Sequence, residues 1–420
     1  MRKAVITVDL GYGDAGKGAT IDYLASFYRE QKKSKIANVL YSGGSQRAHN
    51  IQVGGKKFTC SQIGSAAARG AITYHGPESV VTPEFLIREL NEFNKTFGFQ
   101  PRVAIHPECL IATPFHRKLN RVRWTLRNNE SSCGHGIGEA RSYYLKYGDS
   151  AIKARDLDNR NVLREKMYLL QKRVREEVGS LLRSYDGPHK SEYLRKFGES
   201  VVFPTQDLWI PGTADMFSVL DYGVILDHEV VLFEASQGVL IDEFYGFHPD
   251  TTWSTVTSEP AHHMCERLGI RQPVVMGVTR SYMVRHGTGF FPTFCPELTW
   301  QLVDKNNPPG EMQGAMRNGN LDFSALRYAA RCLPVPPVLL AVNHLDQVSG
   351  IQPIGMENPT LDKLTVNVSM ENRQAIPAPV CQRMDTLTTL GSLCPVAIEG
   401  RGPSAEDRKL NPDCRVHLLS

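Results

Sequence analysis

The chain has 420 residues, with 48 Lys+Arg against 44 Asp+Glu and a formal charge of +4. That mild balance argues against a dedicated nucleic-acid binder, which concentrates basic residues on one face. A hydrophobic content of 41% with 22% charged residues excludes a disordered chain and suits a folded globular one.

In chain order, the N-terminal apolar run Ala4–Leu10 is short and broken by Asp9, so it is not expected to act as a signal peptide. No stretch approaches the ~18 apolar residues of a membrane helix. β-Branched runs at Val5–Asp9, Ile36–Tyr41, Val103–His106, Val230–Ala235, Val274–Val278, Val338–Val342 and Pro395–Ile398 predict buried parallel strands, which are apolar on both faces when helices cover them. Ala19–Tyr28 is helix-like, and Asn161–Tyr185 carries Leu163, Met167, Leu170, Val174, Val178 and Leu181 at helical spacing. Its remaining Arg, Lys and Glu residues predict a solvated face. Turn-rich stretches at Asp186–Lys190, Asn306–Gly310 and Leu333–Pro337 are expected to be loops. The nine cysteines are scattered without a C-x-x-C pair, as expected for reduced thiols in the cytoplasm, and they give no zinc signature. Strands alternating with helices predict an α/β fold, with ligands at the carboxyl ends of the strands.

The first strand runs into Gly11-Tyr-Gly13-Asp14-Ala-Gly16-Lys17-Gly18 and then a helix. Strand, G-x-x-x-x-G-K and helix together form the context of a phosphate-binding loop, whose backbone N–H groups face phosphate oxygens. Gly18 stands where Ser or Thr normally holds magnesium, and Asp14 lies inside the loop. A carboxylate beside phosphates repels them unless it shares a cation or moves a proton. The second strand ends in Ser42-Gly43-Gly44-Ser45-Gln46-Arg47-Ala48-His49. A histidine there could hydrogen-bond a phosphoryl oxygen.

G-D-x-G-K-G followed by G-G-x-x-x-x-H resembles the adenylosuccinate synthetase family. Ser132-Cys133-Gly134-His135-Gly136-Ile137-Gly138 resembles its T-T-G-x-G-I-G, and Phe233-Glu234-Ala235-Ser236-Gln237-Gly238, followed by Asp242, its F-E-G-A-Q-G. Val284-Arg285-His286-Gly287-Thr288-Gly289-Phe290-Phe291-Pro292-Thr293 resembles T-R-V-G-x-G-P-F-P-T. Asn343-His344-Leu345-Asp346 resembles T-K-L-D, and Gly400-Arg401-Gly402-Pro403 resembles S-T-G-P. These matches span nearly the whole chain in the family's order.

The resemblance implies one α/β domain over residues 1–420, phosphate-loop-like, with a central, mostly parallel sheet flanked by helices. It implies a cytoplasmic homodimeric ligase with small-molecule partners and neither nucleic acid nor membrane. That ligase joins L-aspartate to C6 of a purine nucleoside monophosphate, IMP to adenylosuccinate, using a nucleoside triphosphate and Mg²⁺. Asp14 would take the N1 proton. O6 would then attack the γ-phosphate, with Lys17 neutralising charge and His49 donating to the transferring group. The aspartate amine would next expel phosphate from C6. Gln237 joins Asp14, His49 and Lys17 in the catalytic set. Asp14 and the Ala48 carbonyl would hold Mg²⁺. Gly13, Gly16, Lys17, Gly18, Asn343, Asp346, Gly402 and Pro403 would bind GTP or ATP, with Asp346 reading guanine. Asp14, Gln46, Ser132, Cys133, Gln237 and Thr252 would bind the monophosphate, Ser132 supplying the hydroxyl that Cys133 lacks. Arg285, Thr288 and Arg317, with Arg280 as a further candidate, would bind the amino acid.

The chain also departs from the family. In Met312-Gln313-Gly314-Ala315-Met316-Arg317-Asn318-Gly319 only Arg317 remains of an arginine-rich loop, and His344 replaces a lysine in the guanine reader. Near the residue lent across the family's dimer stands Tyr147, with Arg141 and Lys146 close by. A phage branch of the family that serves 2-aminoadenine pathways uses GMP or dGMP instead of IMP. Pro296-Glu297-Leu298-Thr299-Trp300 and the sparse arginine loop resemble that branch, whereas its members carry Ser at the position of Asp14. A phosphate-loop NTPase or kinase, the alternative from another class, would require Ser or Thr after Lys17.

Overall fold

The computed structural model describes residues 2–32, 34–127, 132–198, 216–304, 314–348, 355–357, 361, 380–381 and 386–419. Met312, Gln313 and the turn expected at Asn306–Gly310 lie outside the described residues. The fold is α/β, built on one ten-stranded sheet. Its strands in chain order are β1 (Lys3–Asp9), β2 (Ile36–Leu40), β3 (Ile72–His75), β4 (Val103–Ile105), β5 (Ser218–Val219), β6 (Val230–Gly238), β7 (Val274–Arg280), β8 (Leu339–Asn343), β9 (Val396–Gly400) and β10 (Arg408–Leu410). Their spatial order is β10-β9-β8-β7-β1-β6-β2-β3-β4-β5. Neighbours run parallel throughout, except that β10 lies antiparallel on β9.

The expected strands are all present within a residue or two of their bounds, except that β6 runs three residues further, to Gly238. Alternate residues enter opposite cores, as a pleated strand requires. Ile6, Val231 and Phe233 pack on one face, and Val5, Leu232 and Met276 on the other. A separate apolar cluster lies under the helices Pro83–Phe97, Pro114–Arg127 and Arg160–Ser184. The last of these starts where the Asn159 side chain accepts from Val162 N, satisfying a free N–H of the first turn. Its buried stripe ends on Leu182, with Leu181 only partly covered.

This topology sets the site. The carboxyl ends of β1, β2, β6, β7, β8 and β9 lie along one edge and carry Asp9, the loop to His49, Gln237, Arg280, Asn343 and Gly400. Every motif of the sequence that follows a strand therefore opens on the same side of the sheet.

Candidate active site

The loop after β1 is held by Asp9, which leads into it. Asp9 Oδ1 accepts from Gly11 N at 2.8 Å, while Oδ2 accepts from Ala15 N at 3.1 Å and Lys17 Nζ at 2.7 Å. Lys17 begins the helix α1 (Lys17–Lys32) and is 2% exposed, so its charge is paired rather than free. Asn343 closes the loop from β8, its Nδ2 donating to Ala15 O at 2.9 Å and lying 3.1 Å from Thr20 Oγ1. At Gly18 a Cβ would stand 2.5 Å from the Cβ of His49 and 2.8 Å from Ser65 Oγ. The hairpin His49–Val53/Lys56–Cys60 packs against the start of α1. Its approach explains why neither Ser nor Thr occupies position 18.

Asp14 sits in the left-handed region at φ 57°, a strained backbone for a residue with a side chain. Its Oδ2 lies 3.2 Å from His286 Nε2. Burial pushes its carboxyl up, but the His286 hydrogen bond and charge, with Lys17 and Arg280 further off, outweigh burial and hold it below the ordinary carboxylate range. His49 is oriented from behind: Nδ1 lies 2.5 Å from Glu234 Oε1. Glu234, fully buried in β6, also accepts from Ser65 N at 3.0 Å and Ser65 Oγ at 2.5 Å. An ionised carboxylate only accepts, so Nδ1 carries a proton and Nε2 is the atom left for other partners. Burial pushes the imidazole down against the opposing pull of Glu234.

Two cavities meet here. One, of about 250 Å³, is lined by Gly13, Gln46, Ser132, Cys133, Gln237, Thr252, Arg285, His286 and Thr288. The other, of about 720 Å³, is lined by Gly16, Gly18, Asn343, Asp346, Gly402 and Pro403. Asp14, Lys17, Ala48 and His49 line both. In the first, Gln237 adopts φ 58°, and the side-chain oxygens of Gln46 and Gln237 are buried without a hydrogen-bond partner. Ser132 Oγ directs its proton to Asn120 Oδ1 at 3.1 Å and accepts from Gly134 N at 3.2 Å. Trp124 and Trp253 add apolar walls.

Arg285 and Arg317 face each other across the antiparallel pair Met283–His286/Met316–Gly319. Arg285 donates to Phe290 O and Asp250 O, both at 2.7 Å, and Arg317 to Gly289 O at 3.0 Å. Among the described residues, neither is within ion-pair distance of a carboxylate. Arg280 lies elsewhere: it lines the larger cavity, 3.3 Å from Asp304 Oδ2 and 3.4 Å from His344 Nδ1. Asp9, Glu234 and His286 were not singled out from sequence. A carboxylate at the end of β1 and the Glu inside the F-E motif were the available signals for the first two.

A family model described as adenylosuccinate synthetase matches residues 6–359. The chain belongs to the adenylosuccinate synthetase family. Among curated relatives, the adenylosuccinate synthetase of Neisseria gonorrhoeae (strain ATCC 700825 / FA 1090) is 29% identical over 368 residues, 85% of this chain and 80% of that protein. That of Clostridium botulinum (strain Eklund 17B / Type B) is 29% identical over 370 residues, 83% and 79%. Two solved structures share the fold. The fully ligated adenylosuccinate synthetase of Plasmodium falciparum superposes with a TM-score of 0.75 at 19% identity, covering 97% of this chain and 100% of that one. The cyanophage S-2L succinoaminodeoxyadenylate synthetase, bound to dGMP and to dATP as an energy donor, gives 0.62 at 14%, covering 98% and 96%.

Adenylosuccinate synthetases are C–N ligases, and the junction offers what their magnesium would need. Among the described residues no three His, Cys, Asp or Glu side chains gather into a metal cage. The Asp14 carboxylate and the Ala48 backbone instead stand where the cavities join. Magnesium takes one or two such protein oxygens and completes its shell with phosphates and water, so this donor set fits.

Proposed function

We propose that the chain converts IMP to adenylosuccinate by phosphorylating O6 and replacing that phosphate with the amine of L-aspartate. The observation that carries this reading is the junction: a cavity lined by Gln46, Gln237 and Thr252 meets one lined by Gly16, Asp346 and Pro403 at Asp14, Lys17, Ala48 and His49. An acceptor base in the first and a triphosphate in the second would bring O6 and the γ-phosphate together over these residues, which supplies the proximity such a transfer needs.

Asp14, kept ionised by its surroundings, takes the N1 proton, and O6 then attacks the γ-phosphorus and displaces the nucleoside diphosphate. Lys17 exchanges Asp9 for phosphate oxygens. His49, its Nδ1–H held by Glu234, donates from Nε2 to the transferring group as the imidazolium, the form the Glu234 carboxylate favours against burial. Asp14 and the Ala48 carbonyl would hold Mg²⁺, which would neutralise the charge spread over that group. Gln46, Cys133, Gln237 and Thr252 hold the monophosphate nucleotide, with Ser132 ordering the loop around Cys133. Gly13 and Gly18 let the loop approach the phosphates, and Asn343 fixes it. Asp346, with Gly402 and Pro403, reads the base of GTP. Arg285, Arg317 and Thr288 pair the carboxylates of L-aspartate, whose amine expels phosphate from C6. A kinase or simple NTPase finds no support, because position 18 has no room for the magnesium-holding hydroxyl.

We further read residues 1–420 as one domain acting as a cytoplasmic homodimer. The described free cysteines, mostly buried, suit a reducing compartment. The test is direct. Purified protein is incubated with L-aspartate, Mg²⁺ and GTP or ATP, together with IMP, GMP or dGMP, and the products are identified by mass spectrometry. Adenylosuccinate from IMP is the expected outcome. Absence of any succino-nucleotide from all three acceptors overturns the reading.

A further inference from the structure

The chain leaves the glycine-loop motif at Val284, His286 and Phe290, and only at 286 does the change bring in a titratable side chain. Val284-Arg285-His286-Gly287 stands against T-R-V-G, so an imidazole replaces an apolar side chain. It is held inside the site rather than on its rim. His286 ends the strand Met283–His286 with its side chain 16% exposed, and Nε2 lies 3.2 Å from Asp14 Oδ2. Nδ1 is buried and finds no hydrogen-bond partner. The ring lines the smaller, acceptor-side cavity and not the triphosphate cavity, so it flanks Asp14 on the side away from the γ-phosphate.

A carboxylate has two oxygens and can take two adjacent N–H groups at once. Guanine offers such a pair, N1–H beside the 2-amino group, whereas hypoxanthine offers N1–H alone. His286 takes one lone-pair site of Oδ2 and stands beside that oxygen, leaving Oδ1 the more open of the two toward the base. The amino group of a guanine, aimed at Oδ2 while N1–H meets Oδ1, would then crowd against the imidazole N–H, donor against donor, at an oxygen that already accepts from His286. We propose that His286 is a specificity-determining residue that reserves Asp14 for a 6-oxopurine lacking a 2-amino group, so that the acceptor is a hypoxanthine and not a guanine nucleotide. This rests on the reading above, in which Asp14 faces N1.

The experiment is equilibrium binding of IMP, GMP and dGMP by calorimetry to the wild type, His286→Val and His286→Gln. Competition for one hydrogen-bond acceptor is worth about 10- to 100-fold in affinity, so the wild type should prefer IMP over GMP and dGMP by that factor. His286→Val should bring the ratio to within about threefold of unity, because a freed carboxylate oxygen can receive the second N–H. His286→Gln carries an amide N–H of similar reach and should keep the preference. His286→Ala replaces the Val variant if the latter does not fold, as judged by its melting transition. A wild type that binds GMP or dGMP as tightly as IMP overturns the proposal, and so does a ratio left unchanged by removing the imidazole. Turnover with the same acceptors separates the two readings. Loss of all succino-nucleotide formation removes the ligase assignment, while the binding ratio still decides the role of His286.

Discussion

Glu234 lines neither of the two joined cavities, yet it determines what His49 can do. Its carboxylate accepts from Nδ1 and favours the protonated ring, whose Nε2–H is then left for the phosphoryl group. Glu234→Gln should therefore lower kcat by about 100-fold with little change in KM for either nucleotide, because general acid–base contributions are of that order. Steady-state kinetics test this, and a change confined to KM would contradict it. Asp14→Asn should abolish turnover while binding of the triphosphate stays measurable by calorimetry; unimpaired turnover would remove Asp14 as the base. Asp14 and His49 were legible in the sequence because each sits in a strand-end motif. Their partners were not: His49 and Glu234 are 185 residues apart, and His286 meets Asp14 only after β1 and the Met283–His286 strand are brought together. The site's second layer is set by tertiary placement, which spacing along one sequence does not encode.

At the level of elements, the β-branched strands were readable because both faces of the sheet are covered. β3, β5 and β10 were not. Ile-Thr-Tyr-His and Arg-Lys-Leu carry polar or charged residues, and Ser218–Val219 is only two residues long. In β3, Thr73 Oγ1 accepts from Gly64 N at 2.9 Å and His75 Nε2 donates to Gln62 O at 2.7 Å, so polar side chains there fasten loops to the sheet. β10 is an edge, where charge discourages pairing with other chains. The contact between α1 and the His49 hairpin gives a counterintuitive expectation. Gly18→Ser would recreate the usual phosphate-loop residue but should lower turnover and cost about 1–3 kcal/mol of stability by overpacking. Thermal melting and initial rates would show it, and a more active variant would refute the steric explanation.

Two buried histidines within elements predict acid sensitivity. Burial pushes His75 and His116 down to about 3. For each, the folded form stays neutral where the unfolded chain takes up a proton. Stability is thus fully present above the ordinary histidine range and is lost as pH falls through it toward 3. Replacing either with Gln should flatten the pH dependence of unfolding free energy between roughly pH 6 and 4 by about 1.4 kcal/mol per pH unit. Denaturant titrations across that range measure the slope. An undiminished slope in both variants would place the protons elsewhere.

For the whole molecule, two cavities joined at shared residues predict linked binding. A nucleotide at 100 times its Kd should add about 2.7 kcal/mol to stability. IMP and a non-hydrolysable GTP analogue together should raise Tm by more than the sum of their separate shifts, because each orders Asp14, Lys17 and His49 for the other. Removing Mg²⁺ with a chelator should abolish turnover and erase that excess, and adding Mg²⁺ back should restore both. Purely additive shifts would argue against a common junction.

The strand order has a consequence for how the protein is made. β1 and β2 lead into the two glycine loops of the site, but they are not neighbours; β6 lies between them. While a ribosome has delivered only the first two hundred or so residues, β1 can pair with neither of its final partners, β6 or β7. The phosphate loop therefore waits on a strand more than two hundred residues downstream, and the nascent chain carries an open sheet edge until then. Fragments ending before Val230 should be insoluble or chaperone-bound, whereas ligand-responsive structure should emerge only after β6 and β7 have left the exit tunnel. Synthesis itself thus delays any nucleotide capture until the residues that aim His49 and pair Asp14 are nearly in place.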